Sequence, residues 1–176
     1  MTFWLLEIGL ISILGQVVLL RELTTAFFGS ELITILALGV WMLWTGTGAA
    51  LGRRGWLPSP TGVRGLFLLA SLLMLADLVF IRRIHLLFGG VPGAELGFLT
   101  QLAAMALALL PPGLVLGLVF QWAAKLYVEE GHTLALAYAV ESAGGVLGGA
   151  AATLALGAGL QNFSIALFCC GLSLLA

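Results

Sequence analysis

Residues 133–158 read TLALAYAVESAGGVLGGAAATLALGA, and this stretch decides the fold. It is long enough to cross a bilayer, since a membrane-spanning helix needs about 20 mainly apolar residues. Gly144 and Gly148 stand four residues apart, as does a second glycine pair that begins at Gly145. Small residues at this spacing let helix backbones approach closely in lipid. The stretch therefore predicts a tightly packed membrane helix, and it carries one carboxyl group, that of Glu141.

The whole chain has the composition of a membrane protein. Of its 176 residues, 61% are hydrophobic and 9% are charged, and the mean hydropathy is +1.17. Soluble domains carry about 25% charged residues, and a soluble fold of this size could not bury so much apolar surface. The composition excludes a soluble enzyme domain. The net charge of −1 provides no basic field that would attract nucleic acid.

Six apolar segments predict an all-α fold, a polytopic transmembrane bundle of about six spans that forms a single domain over residues 1–176. The spans cover residues of about 3–20, 32–52, 65–81, 96–124, 133–158 and 160–176. Such a bundle resembles half of a major-facilitator carrier, in which the first three spans correspond to the last three. No strict sequence repeat is present, so this correspondence is a hypothesis that the residues alone do not show.

The last span meets the C-terminus without a flanking polar residue. We therefore expect this chain to be the N-terminal part of a longer protein, and a short sixth helix is the alternative. Loop Arg and Lys residues predict the orientation, because cytoplasmic loops carry an excess of them. With six spans, the side of both termini has Arg53, Arg54, Arg64 and Lys125, and the other side has Arg21, Arg82 and Arg83. This bias favours cytoplasmic termini.

Glycines predict which spans pack most closely. Gly48 and Gly52 form a Gly-xxx-Gly pair in the second span, and Gly144, Gly145 and Gly148 belong to the overlapping pairs of the fifth. Two interpretations stay open. These surfaces are either sliding surfaces of a transporter or sites of plain tight packing.

Glu141 is the leading candidate for a functional residue, since a charge inside the membrane is costly. It lies about 12 Å into its helix at 1.5 Å per residue, on the face of Gly145 and Gly148, so we expect it to face protein. It is either a proton-binding or cation-binding carboxylate or a carboxyl that fixes helix register. Lys125 is expected within reach of it, and Gln16 is expected to contribute a polar group from the first span.

Other ionisable residues are expected at the membrane interface. Glu7 lies near the N-terminus of the first helix, where negative charge is favoured, and Asp77 is expected to pair locally with Arg82 or Arg83. No HExxH, GxSxG or phosphate-loop motif is present, and the two histidines, at span edges, do not form a facing haem-ligand pair. We expect no catalytic residues, metal site or cofactor, and this chain is not expected to be an enzyme.

Three motifs carry a family resemblance: QVVLLREL at 16–23, LPP at 110–112 and YAVESAGGVLG at 138–148. They resemble the membrane domain of bacterial spermidine synthase-like proteins, the fused MFS/spermidine synthase type. The resemblance implies a module of the bacterial inner membrane, and it adds Tyr138 to the candidate residues. Glu141 and Ser142 stand where the family has Asn-Thr. The family's aminopropyltransferase domain has no counterpart in this chain, so polyamine synthesis is not implied.

Three hypotheses follow. The first is a non-catalytic membrane module that anchors or scaffolds a partner, either a separate subunit or a C-terminal soluble domain. The second is a half-transporter or a proton-coupled or cation-coupled carrier of a small cation such as a polyamine, with Glu141, Gln16, Lys125 and Tyr138 along its path. The third is the anchor subunit of an electron-transfer complex, with a quinone near His85.

Overall fold

The computed structural model describes residues 1–54, 58–90 and 94–174, and these residues form a bundle of helices. The helices are Thr2–Ala26 (α1), Glu31–Gly52 (α2), Pro60–Arg82 (α3), Ile84–Leu87 (α4), Phe98–Glu129 (α5), Leu134–Gly157 (α6) and Asn162–Ser173 (α7). Within the described residues, α1, α2, α3, α5 and α6 are long and apolar enough to cross a membrane. The predicted all-α, multi-pass bundle is confirmed.

The sixth predicted span differs from the helix that the structure places there. Helix α7 has 12 residues, whereas a membrane-spanning helix needs about 20. It begins only at Asn162, because Gly159 adopts a positive φ of 82° that ends the preceding helix. Residues 175–176, which the prediction included, lie outside the described part of the chain. Over residues 1–54, 58–90 and 94–174, the structure therefore has five helices long enough to span a membrane and one shorter apolar helix, α7.

Helix α5 continues through two adjacent prolines. Pro111 and Pro112 lie inside its 32 residues, although each lacks the N–H that a helical hydrogen bond needs. Neighbouring helices make such a helix tolerable in a membrane bundle. One turn before the prolines, Trp44 Nε1 of α2 donates a hydrogen bond to the Ala106 carbonyl oxygen over 3.0 Å. This bond fixes α5 against α2 near the weakened turn.

Helices α1 and α6 pack with their backbones in contact. A Cβ atom at Gly9 would overlap the Glu141 carbonyl oxygen, and one at Gly144 would overlap the Leu6 carbonyl oxygen. One turn further on, Gly148 faces Leu10 in the same way. Because residue numbers rise together along both helices, α1 and α6 run parallel.

Helices α2 and α5 form a second pair of the same kind. A Cβ atom at Gly48 would overlap the Leu114 carbonyl oxygen, and one at Gly117 would overlap the Thr45 carbonyl oxygen. Gly52 is one turn further along, where a Cβ atom would approach Gln121 Cβ to 3.0 Å. These two helices also run parallel to each other.

The remaining predicted packing glycine, Gly145, lies at the first interface. A Cβ atom there would be 3.2 Å from Ile13 Cγ1 and clear of the partner's carbonyl oxygens. Gly48, Gly144 and Gly148 therefore allow backbone contact, whereas Gly52 and Gly145 face side chains.

The two pairs are related by an internal inverted repeat. Leu6 and Gly9 are three residues apart, as are their counterparts Leu114 and Gly117, and the same spacing separates Glu141 from Gly144 and Thr45 from Gly48. The contacts join these positions in the same pattern, so α1 corresponds to α5 and α6 to α2. Because α1 and α5 run in opposite directions, the pseudo-two-fold axis lies in the membrane plane. Inverted repeats of this kind are common in transporters.

The repeat is completed by α3 and α7, which lie outside the two pairs. Helix α3 packs against α5 and α1, and α7 packs against α1 and α3. The two helices also contact each other, which is consistent with their being counterparts close to the two-fold axis. The three-helix units α1–α3 and α5–α7 thus enclose one core.

We predict that Gly144→Ala destabilises the bundle, because its Cβ has no room beside the Leu6 carbonyl oxygen. The expected loss is about 1–3 kcal/mol in the free energy of unfolding, as for other overpacked positions. Gly39→Ala is the matched control, since a Cβ atom there meets nothing within 4 Å. Thermal unfolding in detergent compares the two variants. Equal stability of both would contradict the backbone contact.

Candidate functional site

A cavity lies between the two helix pairs. Its volume is about 310 Å³, and it is partly open rather than enclosed. Its walls come from α1, α2, α5 and α6. The lining residues are Ile8, Ser12, Ile13, Gln16, Trp41, Met42, Thr45, Gly46, Ala49, Leu116, Gly117, Phe120, Tyr138 and Glu141. Ligand pockets of proteins start at about this size, so a bound molecule would be small.

Three of the four candidate residues chosen from the sequence line this cavity: Gln16, Tyr138 and Glu141. Ser12 joins them from the same face of α1 as Gln16. No described residue forms a hydrogen bond with any of these four side chains. Polar groups inside a membrane protein are normally paired, so these groups are available to water or to a ligand.

The cavity lies on the pseudo-two-fold axis of the repeat. Its lining includes four pairs of positions that the repeat makes equivalent, and these are Ile8 with Leu116, Ser12 with Phe120, Met42 with Tyr138, and Thr45 with Glu141. The side chains within a pair differ in chemistry. The backbone of the site is thus symmetric, while its charge is on the α6 side alone.

Aromatic rings form part of the wall around Glu141. The ring centroids of Phe120 and Tyr138 are 5.0 Å apart with an angle of 53° between the planes. Trp41 is 4% exposed and contributes a third ring from α2. The wall contains no lysine, arginine or histidine among the described residues. An ionised Glu141 would therefore make this cavity electronegative.

Lys125 does not line this cavity, contrary to the prediction that it reaches toward Glu141. Its Nζ atom donates a hydrogen bond of 3.0 Å to the Gly52 carbonyl oxygen at the end of α2. A cation is favourable there, because the last carbonyl groups of a helix carry partial negative charge. The register of α5 against α2 decides this contact, and the sequence does not show that register.

Glu7 is buried within the protein, a position that the sequence did not predict. It is 4% exposed and faces α3, near Val63 and Phe67. Neither of its carboxylate oxygens has a hydrogen-bond partner among the described residues. Arg64 shares the wall of this narrow space, but its guanidinium lies over the Trp4 ring at 5.2 Å. Glu7 is therefore a second membrane carboxyl that is left without a partner.

Arg82 pairs with α1 rather than with Asp77. Its Nε atom contacts Glu22 Oε1, and Asn162 Nδ2 of α7 donates to the other oxygen of Glu22. Asp77 is 6% exposed, and its Oδ2 atom has no partner among the described residues. The Glu22 carboxylate thus joins α1, α3 and α7 at one end of the bundle, and it explains why α1 continues past residue 20.

Thr45, Trp41 and Phe120 are cavity residues that the sequence did not identify. Thr45 lies three residues before Gly48, as Glu141 lies three before Gly144. That shared spacing was the one signal in the sequence that could have paired them. A metal centre has no support in the described residues, which contain no group of three or more His, Cys, Asp and Glu side chains.

Comparisons with protein-family models, with curated proteins and with solved structures give no match. The resemblance to spermidine synthase-like membrane domains therefore stays a prediction from its three motifs. The cavity itself therefore carries the evidence for a function.

We predict that Arg82→Gln lowers the melting temperature, because it removes the ion pair that joins α3 to Glu22. The pair is partly exposed, so the loss should be modest, about 0.5–1 kcal/mol. Arg83→Gln is the control. It removes the same charge from the next residue, and no ion pair of Arg83 occurs in the described residues. If both variants melt alike, the Glu22 junction does not stabilise the bundle.

Proposed function

We propose that this chain is an integral membrane module that binds a small cation in the cavity between its two helix pairs and acts as a half-transporter. The observation that carries the proposal is the convergence of Glu141, Gln16 and Tyr138 on one cavity. A carboxylate in a wall without basic residues attracts a positive ligand. Transporters of inverted-repeat architecture bind their substrates at the interface of the repeats, and this cavity lies there.

The half-transporter form is supported by apolar surface that the described bundle leaves exposed. Helices α2 and α6 both expose much of their apolar surface, including Leu43 on α2 and Leu147 on α6. In a carrier made of two such bundles, these surfaces would meet the other half. A small cation such as a polyamine fits the charge of the cavity.

The same exposed surfaces favour a second candidate function, that of a membrane scaffold. In that role α2 and α6 would bind a partner subunit, or the soluble domain that follows the membrane domain in spermidine synthase-like proteins.

The electron-transfer hypothesis has less support, because His85 Nε2 lies 2.8 Å from the Ala26 carbonyl oxygen and its ring packs against Phe28. A location in the bacterial inner membrane with cytoplasmic termini belongs to both leading proposals.

We predict that a cation binds to the purified chain in lipid nanodiscs and that Glu141→Gln weakens its binding about 10- to 100-fold. The physical reason is the loss of a charge-assisted contact. The probes are radiolabelled putrescine, Na⁺ and choline, measured by equilibrium binding. Glu31→Gln is the matched control, since Glu31 is exposed at the start of α2 and outside the cavity.

Two results would count against the proposal. If none of the three cations binds to the wild-type chain, the cavity is not a cation site, and the scaffold role becomes the better explanation. If Glu141→Gln and Glu31→Gln bind as the wild type does, any cation site lies elsewhere. Uptake into proteoliposomes would then separate binding from transport in the variants that bind.

A further inference from the structure

The cavity combines one carboxyl group with several aromatic rings. Trp41, Phe120 and Tyr138 line it together with Glu141, and the rings of Phe120 and Tyr138 are tilted by 53° at a centroid distance of 5.0 Å. The negative faces of such rings attract organic cations, and aromatic cages are a recurrent site for quaternary ammonium groups. The carboxylate supplies the opposite charge without enclosing the ligand in oxygen atoms.

The same wall provides too few oxygen ligands for a metal ion. Ca²⁺ takes six to eight oxygen ligands and Mg²⁺ about six, and one carboxylate with a few neutral groups falls short of that. The Thr45 hydroxyl is already bonded to the Trp41 carbonyl oxygen, 3.0 Å away. A cation whose charge is spread over alkyl groups needs fewer oxygen contacts, and it gains from apolar surface such as Leu116.

We infer that the ligand of this cavity is a small organic ammonium ion, held on the pseudo-two-fold axis between positions 45 and 141. The inference rests on the proposed cation-binding function and names its substrate class. The axis matters because the backbones at Thr45 and Glu141 are equivalent. Each gives its carbonyl oxygen to the contact with a partner glycine, and each residue lines the cavity.

Because positions 45 and 141 are equivalent, the carboxylate could be supplied from either side of the axis. A carboxylate at position 45 would face the axis from α2 as Glu141 faces it from α6. A ligand on the axis should therefore accept its counter-charge from either side. A ligand that is held against α6 alone should not.

The first test compares choline with 3,3-dimethylbutan-1-ol, its neutral isostere, in binding to the chain in nanodiscs. We expect choline to bind at least tenfold more tightly than the isostere. Choline should also stay bound in the presence of a large excess of Na⁺. Tyr138→Leu should weaken choline binding about 3- to 10-fold, the usual range for the loss of one cation–π contact. Tyr138→Phe should retain it, because that variant keeps the ring.

The second test moves the charge across the axis. Glu141→Thr alone should lose choline binding, and the double variant Thr45→Glu/Glu141→Thr should recover it to within about threefold of the wild type. A double variant that folds but does not bind choline would overturn the axial position of the ligand. Should the double variant fail to fold, the two Tyr138 variants still test the ligand class.

Failure of this inference can be told apart from failure of the cation-binding function. If Na⁺ or putrescine binds in a Glu141-dependent way while choline binds no better than its isostere, the organic-ammonium class is wrong and the cation site stands. Equal choline affinities of Tyr138→Leu and Tyr138→Phe would also overturn the aromatic contribution. If no cation binds at all, both proposals fail together.

Discussion

The close approach of helix backbones at five glycines is the constraint on which the rest of this structure depends. In lipid, helices gain little from burying apolar side chains, so contact between backbones has to hold them together. A methyl group would not fit beside the partner helix's carbonyl oxygen at any of the five, which are Gly9, Gly144, Gly148, Gly48 and Gly117. Contacts of Cα–H groups with carbonyl oxygens add to this packing. These contacts form two parallel helix pairs, and the inverted repeat relates one pair to the other.

The same contacts position the candidate site. Glu141 gives its backbone carbonyl oxygen to the Gly9 contact and its side chain to the cavity, and Thr45 does the same opposite Gly117. The functional groups are therefore anchored to the most closely packed points of the bundle. Binding groups on rigid elements are held more accurately than groups on loops. The cavity exists because each pair is tight within itself, while the two pairs leave space between them.

Much of the fold followed from hydropathy and spacing. Long apolar runs identified the five long helices, and the positions of Gly145 and Gly148 relative to Glu141 indicated that the carboxyl faces protein. What the sequence could not supply was the partner of each glycine surface, because any two small-residue faces can pack. The α1–α6 and α2–α5 pairing, and with it the repeat, became visible only through contacts between residues distant in the sequence.

Errors at individual residues have the same physical origin. Lys125 was placed near Glu141 from the depth of both residues, but the rotation of α5 turns it toward the Gly52 carbonyl oxygen. Glu7 is expected at the interface from its position near the helix N-terminus, and the sequence contains no sign that α3 covers it. Depth in the membrane can be counted along a helix, whereas rotation depends on packing with neighbours. The expected pairing of Asp77 with Arg82 fails for the same reason, since Arg82 forms its ion pair with Glu22 of α1.

Whether positions 45 and 138 share a water-accessible cavity is tested most directly by thiol accessibility. In a chain with Cys169 and Cys170 replaced by alanine, single cysteines at Thr45 and Tyr138 would be compared with cysteines at Leu43 and Val146, exposed positions outside the cavity. The reagent is a trimethylammonium-bearing methanethiosulfonate, applied to the chain in nanodiscs. Faster reaction at 45 and 138, slowed by choline, is the expected result. Reaction at 45 and 138 that is no faster than at 43 and 146 would contradict a cavity between the two helix pairs.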